Sequence, residues 1–121
     1  MTQSDDSYLR GWQARQADAL EVAKAWQAAR SSEAKHAAQR LVDALGVTRV
    51  VLFGSLALGK AGPGSDVDLW VEGLDKAHYL EAIALVRELI RGAEVDLVPA
   101  EWASPALRER VEYEGVVIGG C

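Results

Sequence analysis

The chain has 121 residues with a formal charge of −5, and 50% of the residues are hydrophobic. This profile is typical of one soluble globular domain, and it argues against a bilayer-spanning run of roughly 20 apolar residues, a secretory leader and a basic surface for direct nucleic-acid binding. Cys121 is the single cysteine, so no internal disulfide is possible and a cytoplasmic location is expected.

The first 46 residues are rich in alanine and have helical spacing. Apolar residues three, four or seven positions apart predict a first helix with one stripe: Leu9, Trp12, Ala19, Val22, Ala23 and Trp26. Three polar residues near its start are candidate N-caps: Ser4, Asp5 and Asp6. Ser31 and Ser32 are expected to interrupt this helix, and a second helix follows that ends at Gly46, a residue suited to a left-handed C-cap.

The rest of the chain alternates between strand and helix patterns. Strands are predicted at 47–53, 67–72 and 94–98, helices after Asp75 and Ser104, and a last short strand after Gly115. We therefore predict an α/β (α+β) fold with a mixed sheet of about four strands, flanking helices and two additional N-terminal helices. In this arrangement a helical segment, residues 1–46, packs on a core formed by residues 47–121 within a single domain.

Two aspartates open the second predicted strand. Asp66 and Asp68 are two residues apart on an extended chain, so their carboxylates leave the same face with Cα atoms about 6.6 Å apart. Carboxylates this close repel each other, and Mg²⁺ is the natural ion to neutralise them. Asp96 lies on the corresponding face of the third strand. If these strands are neighbours, three carboxylates meet at one place, which is what a two-metal site needs.

A glycine and a serine follow the first strand. Gly54 allows an anion to approach the main chain closely, and Ser55, expected at the start of a helix, offers both an amide and a hydroxyl. A phosphate-binding turn beside a metal-binding pair is typical of phosphoryl or nucleotidyl transfer, in which positioning and charge neutralisation provide most of the catalysis.

Other interpretations of the same residues exist. GSLALGKA matches a P-loop as far as its lysine, but Ala61 replaces the required Ser or Thr, and the segment 62–64 (GPG) opposes the helix that should follow. Asp66 and Asp68 could instead cap a turn or lie on a solvated strand edge. Trp70, on the same face, could flank a base or be a half-buried structural residue.

Together, GSLALGKAGPGSDVDLWV and the later EVDLV resemble the signature of the DNA polymerase beta nucleotidyltransferase superfamily. The short chain and the ending EGVVI resemble the minimal nucleotidyltransferases, many of which are antitoxins paired with HEPN-domain toxins. The resemblance covers residues 47–118. It implies that two Mg²⁺ ions bind to three catalytic aspartates, Asp66, Asp68 and Asp96. It also implies that ATP is held by the glycine-rich segment, with these candidate residues: Gly54, Ser55, Lys60 and Ser65.

The activity implied by the resemblance is transfer of AMP from ATP to a hydroxyl, with a tyrosine of a partner HEPN toxin as the expected acceptor. Leu58 stands where members of the family commonly have an arginine, so a phosphate-binding cation is missing from the loop unless Lys60 replaces it. The alternatives are a catalytically weak module that neutralises its partner by contact, and a nucleotidyltransferase acting on a small molecule. The N-terminal helices could serve homo-oligomerisation, partner docking or core coverage.

Overall fold

A computed structural model describes the backbone of residues 2–120 and the side chains of residues 9–120. The predicted N-caps Ser4, Asp5 and Asp6, and the thiol of Cys121, lie outside the described side chains. Three helices and four strands follow one another along the chain: α1 (Thr2–Leu45), β1 (Arg49–Phe53), β2 (Val67–Glu72), α2 (Tyr79–Leu89), β3 (Val95–Pro99), α3 (Pro105–Glu114) and β4 (Val116–Gly120).

The four strands form one mixed sheet in the order β3-β2-β1-β4. β1 is antiparallel to both β2 and β4, whereas β2 and β3 are parallel. The predicted fold class is confirmed, and β2 has the predicted bounds. Because β1 ends where β2 begins, and β2 and β3 run in the same direction, the end of β1 and the starts of β2 and β3 share one edge of the sheet.

The N-terminal region is one continuous helix, so the prediction of two helices was wrong. Ser31 and Ser32 lie inside α1, where serine costs only a few tenths of a kcal/mol relative to alanine and no glycine or proline breaks the helix. Residues of the following turns are buried and fix the helix to the domain: Ala34, Ala37, Ala38 and Leu41. The helix ends as predicted, with Gly46 in the left-handed conformation at φ 68°.

The first half of α1 extends past the sheet. With 44 residues, the helix is about 66 Å long. Several of its apolar side chains are exposed: Leu9, Trp12, Leu20 and Val22. Trp26, further along, packs against the core. None of the helices within residues 2–120 combines the length and the apolar character that a bilayer span requires.

The main core lies between one face of the sheet and the helices α1 and α2. Alternate residues of the central strands point into it, because successive side chains of a strand face opposite sides. Five of these residues are fully or almost fully buried: Val50, Leu52, Val67, Leu69 and Val71. α2 contributes Ala82 and Val86 from the opposite side.

α3 covers a smaller apolar cluster on the other face, formed by Val51, Phe53, Trp70 and Val111. Ser104 caps this helix as predicted, because its hydroxyl accepts a hydrogen bond from the Leu107 amide at 3.1 Å. Trp70 is only 2% exposed, and its indole N–H donates to a Glu72 carboxylate oxygen at 3.0 Å. Trp70 therefore has the structural role that was expected, but it is fully rather than half buried, and the expectation that it flanks a base is wrong because α3 closes over the ring.

Candidate active site

The predicted site residues of the three strands meet at one edge of the sheet, on the face that α3 covers. Asp68 is paired with Phe53 of β1 on one side and with Asp96 of β3 on the other. The strands of such pairs are about 4.8 Å apart, so Asp68 and Asp96 are direct neighbours. Gly54 directly follows Phe53, and Asp66 lies just before β2. The condition for the predicted carboxylate cluster, that β2 and β3 are adjacent, is met.

Glycine is required at position 54 for two reasons, the backbone conformation and the closeness of Asp68. Its φ of 78° favours glycine, and a Cβ atom at this position would overlap the carboxylate of Asp68. The close approach places the main chain at the end of β1 directly against the carboxylate of Asp68. Any anion held by this turn would therefore lie beside Asp68.

The residues after Gly54 form a single tight turn, so the prediction that a helix starts at Ser55 was wrong. The carbonyl of Gly54 accepts from the Leu58 amide at 3.2 Å, and that of Ser55 accepts from the Lys60 amide at 2.9 Å. Within the described part of the chain, the amides at the start of this turn have no hydrogen-bond partner: Ser55, Leu56 and Ala57. The turn therefore offers several adjacent N–H donors, which is how short glycine-containing turns bind anions.

The loop that links this turn to β2 is held by α1. The amide side chain of Gln27 donates to the carbonyl oxygens of Gly59, at 3.2 Å, and Ala61, at 2.7 Å. This contact was not predicted, because Gln27 is far from the loop in sequence. No helix begins at Lys60, which confirms that the segment is not a P-loop.

Lys60 and Ser65, two of the residues predicted to bind the nucleotide, lie in this loop. Lys60 is exposed and lies at the end of the turn. The hydroxyl of Ser65 accepts from the Gly62 amide at 3.1 Å, which tightens the loop just before Asp66. Ser65 directly precedes Asp66, and the contact of either residue with a nucleotide stays a prediction.

The electrostatics of the cluster centre on Asp68. Burial raises the pKa of the Asp68 carboxyl, and the negative charges of Asp96, Asp66 and Glu114 raise this pKa further, while Arg110 opposes the shift. Asp68 is thus surrounded by more negative than positive charge. A divalent cation would relieve this excess.

The donor set is appropriate for Mg²⁺, because carboxylate oxygens are the hard ligands that this ion prefers. Asp66 and Asp96 are exposed and Asp68 is half-buried, which leaves room for water and phosphate oxygens. Among the described side chains, no three His, Cys, Asp or Glu residues are already gathered closely enough to hold a metal ion. The residues that would hold Mg²⁺ are Asp68 and Asp96, side by side, with Asp66 from the end of the loop.

Two charged residues of α3 also reach the site and were missed in the sequence. Glu114 Oε1 accepts from the Gly54 amide at 3.0 Å and from Arg110 Nε at 2.7 Å. The available signal was positional: Arg110 and Glu114 are four residues apart and share a helix face, next to Val111, which is buried against the sheet. The contact of Glu114 with Gly54 spans 60 residues of sequence, which local patterns do not reveal.

Comparisons with known proteins agree with this geometry. The family model of the nucleotidyltransferase domain matches residues 32–118. A toxin–antitoxin crystal structure with AMP-PNP is 26% identical, covers 74% of this chain and 73% of its own, and has a TM-score of 0.61. A structure described as a minimal nucleotidyltransferase is 33% identical over 68% of this chain and 86% of its own, with a TM-score of 0.58. A mutant of the MntA toxin–antitoxin complex is 28% identical over 67% of both chains, with a TM-score of 0.56. No curated protein sequence matches the chain significantly.

Proposed function

The chain belongs to the nucleotidyltransferase domain family, and we propose that it is an antitoxin that transfers AMP from ATP to a hydroxyl group of a partner toxin. The observation that carries the proposal is the adjacency of Gly54, Asp68 and Asp96 at one sheet edge. This places an anion-binding turn beside a pair of carboxylates. The AMP-PNP in a solved relative of the toxin–antitoxin type supports ATP as the donor. The expectation of a HEPN-domain partner and a tyrosine acceptor comes from the sequence resemblance.

Each residue of the edge has a part in this transfer. Gly54 and Ser55 would orient the outer phosphates through backbone amides and the serine hydroxyl, with Lys60 and Ser65 at the border of the same loop. Asp66, Asp68 and Asp96 would hold two Mg²⁺ ions, which when bound supply charge neutralisation at the carboxylates and the phosphates. Asp96, exposed beside Asp68, would accept the proton of the incoming hydroxyl. The hydroxyl oxygen then bonds to the α-phosphorus, and pyrophosphate leaves.

The test is to co-express the chain with a HEPN-domain protein and to measure AMP attachment to that protein by mass spectrometry. Asp66→Asn and Asp68→Asn are each expected to lower the transfer rate by roughly 100-fold or more, because each removes a negative charge that the Mg²⁺ ions require. Asp43→Asn is the matched control, since Asp43 is exposed on α1 and accepts a hydrogen bond from Gln39 at 2.9 Å. Transfer at the normal rate in both site variants would overturn the assigned roles.

A second function, neutralisation of the partner by contact alone, is favoured by one observation. The Gly54 amide already has a carboxylate partner in Glu114, so the turn is partly satisfied without a nucleotide. A growth assay separates the two functions. If Asp66→Asn and Asp68→Asn protect cells from the toxin as well as the unchanged chain does, contact is sufficient. If protection is lost while the complex still forms, the transfer is required.

A further inference from the structure

The pair Arg110 and Glu114 lies at the mouth of the candidate site. Both residues come from the last turns of α3, four positions apart, and Glu114 bridges Arg110 to the Gly54 amide through one carboxylate oxygen. The Glu114 side chain is 12% exposed and that of Arg110 is 54% exposed. The Glu114 side chain is therefore fixed between its two donors, whereas the Arg110 side chain is accessible to solvent and to a ligand.

The carboxylate of Glu114 is bound by two donors of the kind that form anion-binding sites. It receives one backbone N–H and one guanidinium N–H, and these donors also bind phosphate oxygens. At the same time its negative charge adds to the three aspartates of the same edge. A phosphate group carried to this turn would compete for the same two donors.

Arg110 is positioned to exchange the Glu114 carboxylate for a phosphate group. Its guanidinium lies over the ring of Phe53, the residue before Gly54, at 5.7 Å from the ring centre. A guanidinium has five N–H donors, and within the described residues only Nε of Arg110 has a partner. The remaining N–H donors of the Arg110 guanidinium are therefore available to a ligand. The guanidinium lies close enough to Asp68 for its positive charge to lower the pKa of that carboxyl. The loop itself has the apolar Leu58 and a single cation, Lys60, which is exposed at the end of the turn.

We propose that Arg110 binds the nucleotide phosphates, and that the phosphates replace Glu114 as the partner of Arg110 and of the Gly54 amide. Glu114 then holds the arginine in place while no nucleotide is bound, and competes with the nucleotide for it. This inference rests on the proposed function, since it concerns the same site. It assigns to α3 a phosphate-binding cation in addition to Lys60 of the glycine-rich loop.

The test measures the affinity of the full chain for AMP-PNP with Mg²⁺ by isothermal titration. Arg110→Gln is expected to weaken binding about tenfold or more, since a charge-assisted contact with phosphate is lost. Arg110→Lys is expected to fall in between, because lysine keeps the charge but not the planar fork. Glu114→Gln is expected to tighten binding, because the competing charge is removed.

Two matched controls lie on the same helix. Arg108 is an exposed cation whose guanidinium donates to the Ala100 carbonyl at 2.9 Å and lies over Trp70, so Arg108→Gln makes the same charge change away from Gly54. Glu112 is exposed, so Glu112→Gln is the control for Glu114→Gln. Both controls are expected to bind the nucleotide as the unchanged chain does.

The outcomes separate this inference from the proposed function. If the unchanged chain binds AMP-PNP but Arg110→Gln binds it no more weakly than Arg108→Gln, the phosphate role of Arg110 is wrong and the proposed function stands. If Glu114→Gln weakens binding, Glu114 belongs to the binding site and the exchange is wrong. If the unchanged chain binds no nucleotide, both proposals fail. A circular dichroism melt of each variant checks that a lost signal is not lost folding.

Discussion

The face of the sheet under α1 and α2 and the face under α3 use the same strands but bury different groups. The first face is a continuous apolar core of Val, Leu, Ile and Ala residues from both helices and from three strands. The second has only a small apolar cluster around Trp70, followed at the strand ends by carboxylates and by the pair Arg110 and Glu114. The stability of the domain is thus concentrated on one face, which leaves the other free to hold charge.

The two faces of the sheet differ most clearly at two consecutive residues of β2. Leu69 is fully buried under α1 and α2, and Asp68 lies on the opposite face beside Asp96. We expect Leu69→Ala to lower the free energy of unfolding by about 2–5 kcal/mol, because it leaves a cavity in the main core. Asp68→Asn should not lower it. Urea unfolding followed by circular dichroism measures both variants, and equal losses would show that the two faces are not divided in this way.

A smaller effect is expected at two glycines of the site loop. Gly54 and Gly59 both have positive φ angles, of 78° and 72°, but only at Gly54 would a Cβ overlap Asp68. Gly59→Ala should cost about 1 kcal/mol of stability from backbone conformation alone. Gly54→Ala should cost about 1–3 kcal/mol and should also weaken Mg²⁺ binding, because Asp68 must move.

Thermal melts with and without Mg²⁺ compare these two glycine variants. The expected result is that Gly59→Ala keeps the stabilisation by Mg²⁺ that the unchanged chain shows, and that Gly54→Ala loses it. The same Mg²⁺ response in both variants would contradict the placement of Gly54 against a metal-binding carboxylate.

The smallest effect concerns the charge of Asp68 in the absence of metal. Its pKa in the folded chain lies above the ordinary value of 3.8, so folding favours the protonated carboxyl and the ionised form reduces stability. This contribution to stability is present below the ordinary pKa and is lost as the pH rises through the raised value. In EDTA, Asp68→Asn should therefore be more stable than the unchanged chain at pH 7, and the difference should shrink as the pH falls towards 4.

Asp43→Asn, on the exposed side of α1, is again the control for this measurement. It makes the same change in net charge away from the cluster. If Asp43→Asn stabilises the chain at pH 7 as much as Asp68→Asn does, the effect belongs to the overall charge and not to the crowded carboxylates.

The sequence alone determined which residues share a face and which segments carry chemistry. The alternation of Val67, Leu69 and Val71 with Asp66, Asp68 and Trp70 is a local property of an extended chain, so the strand and its two faces were predictable. Gly46 and Ser104 act on backbone groups within a few residues, so the C-terminal end of α1 and the start of α3 were also predictable. The pattern of Gly54, Ser55 and the aspartates was enough to indicate the family.

Tertiary packing decided the rest. α1 continues through Ser31 and Ser32 because burial of the following turns outweighs the weak preference of serine against helix. Trp70 is closed off because α3 lies over it, and no pattern within β2 contains that fact. The contact of Glu114 with Gly54 depends on how α3, 60 residues later in the sequence, packs on the sheet. The positions of Arg110 and Glu114 beside the phosphate-binding turn therefore became visible only in the folded chain.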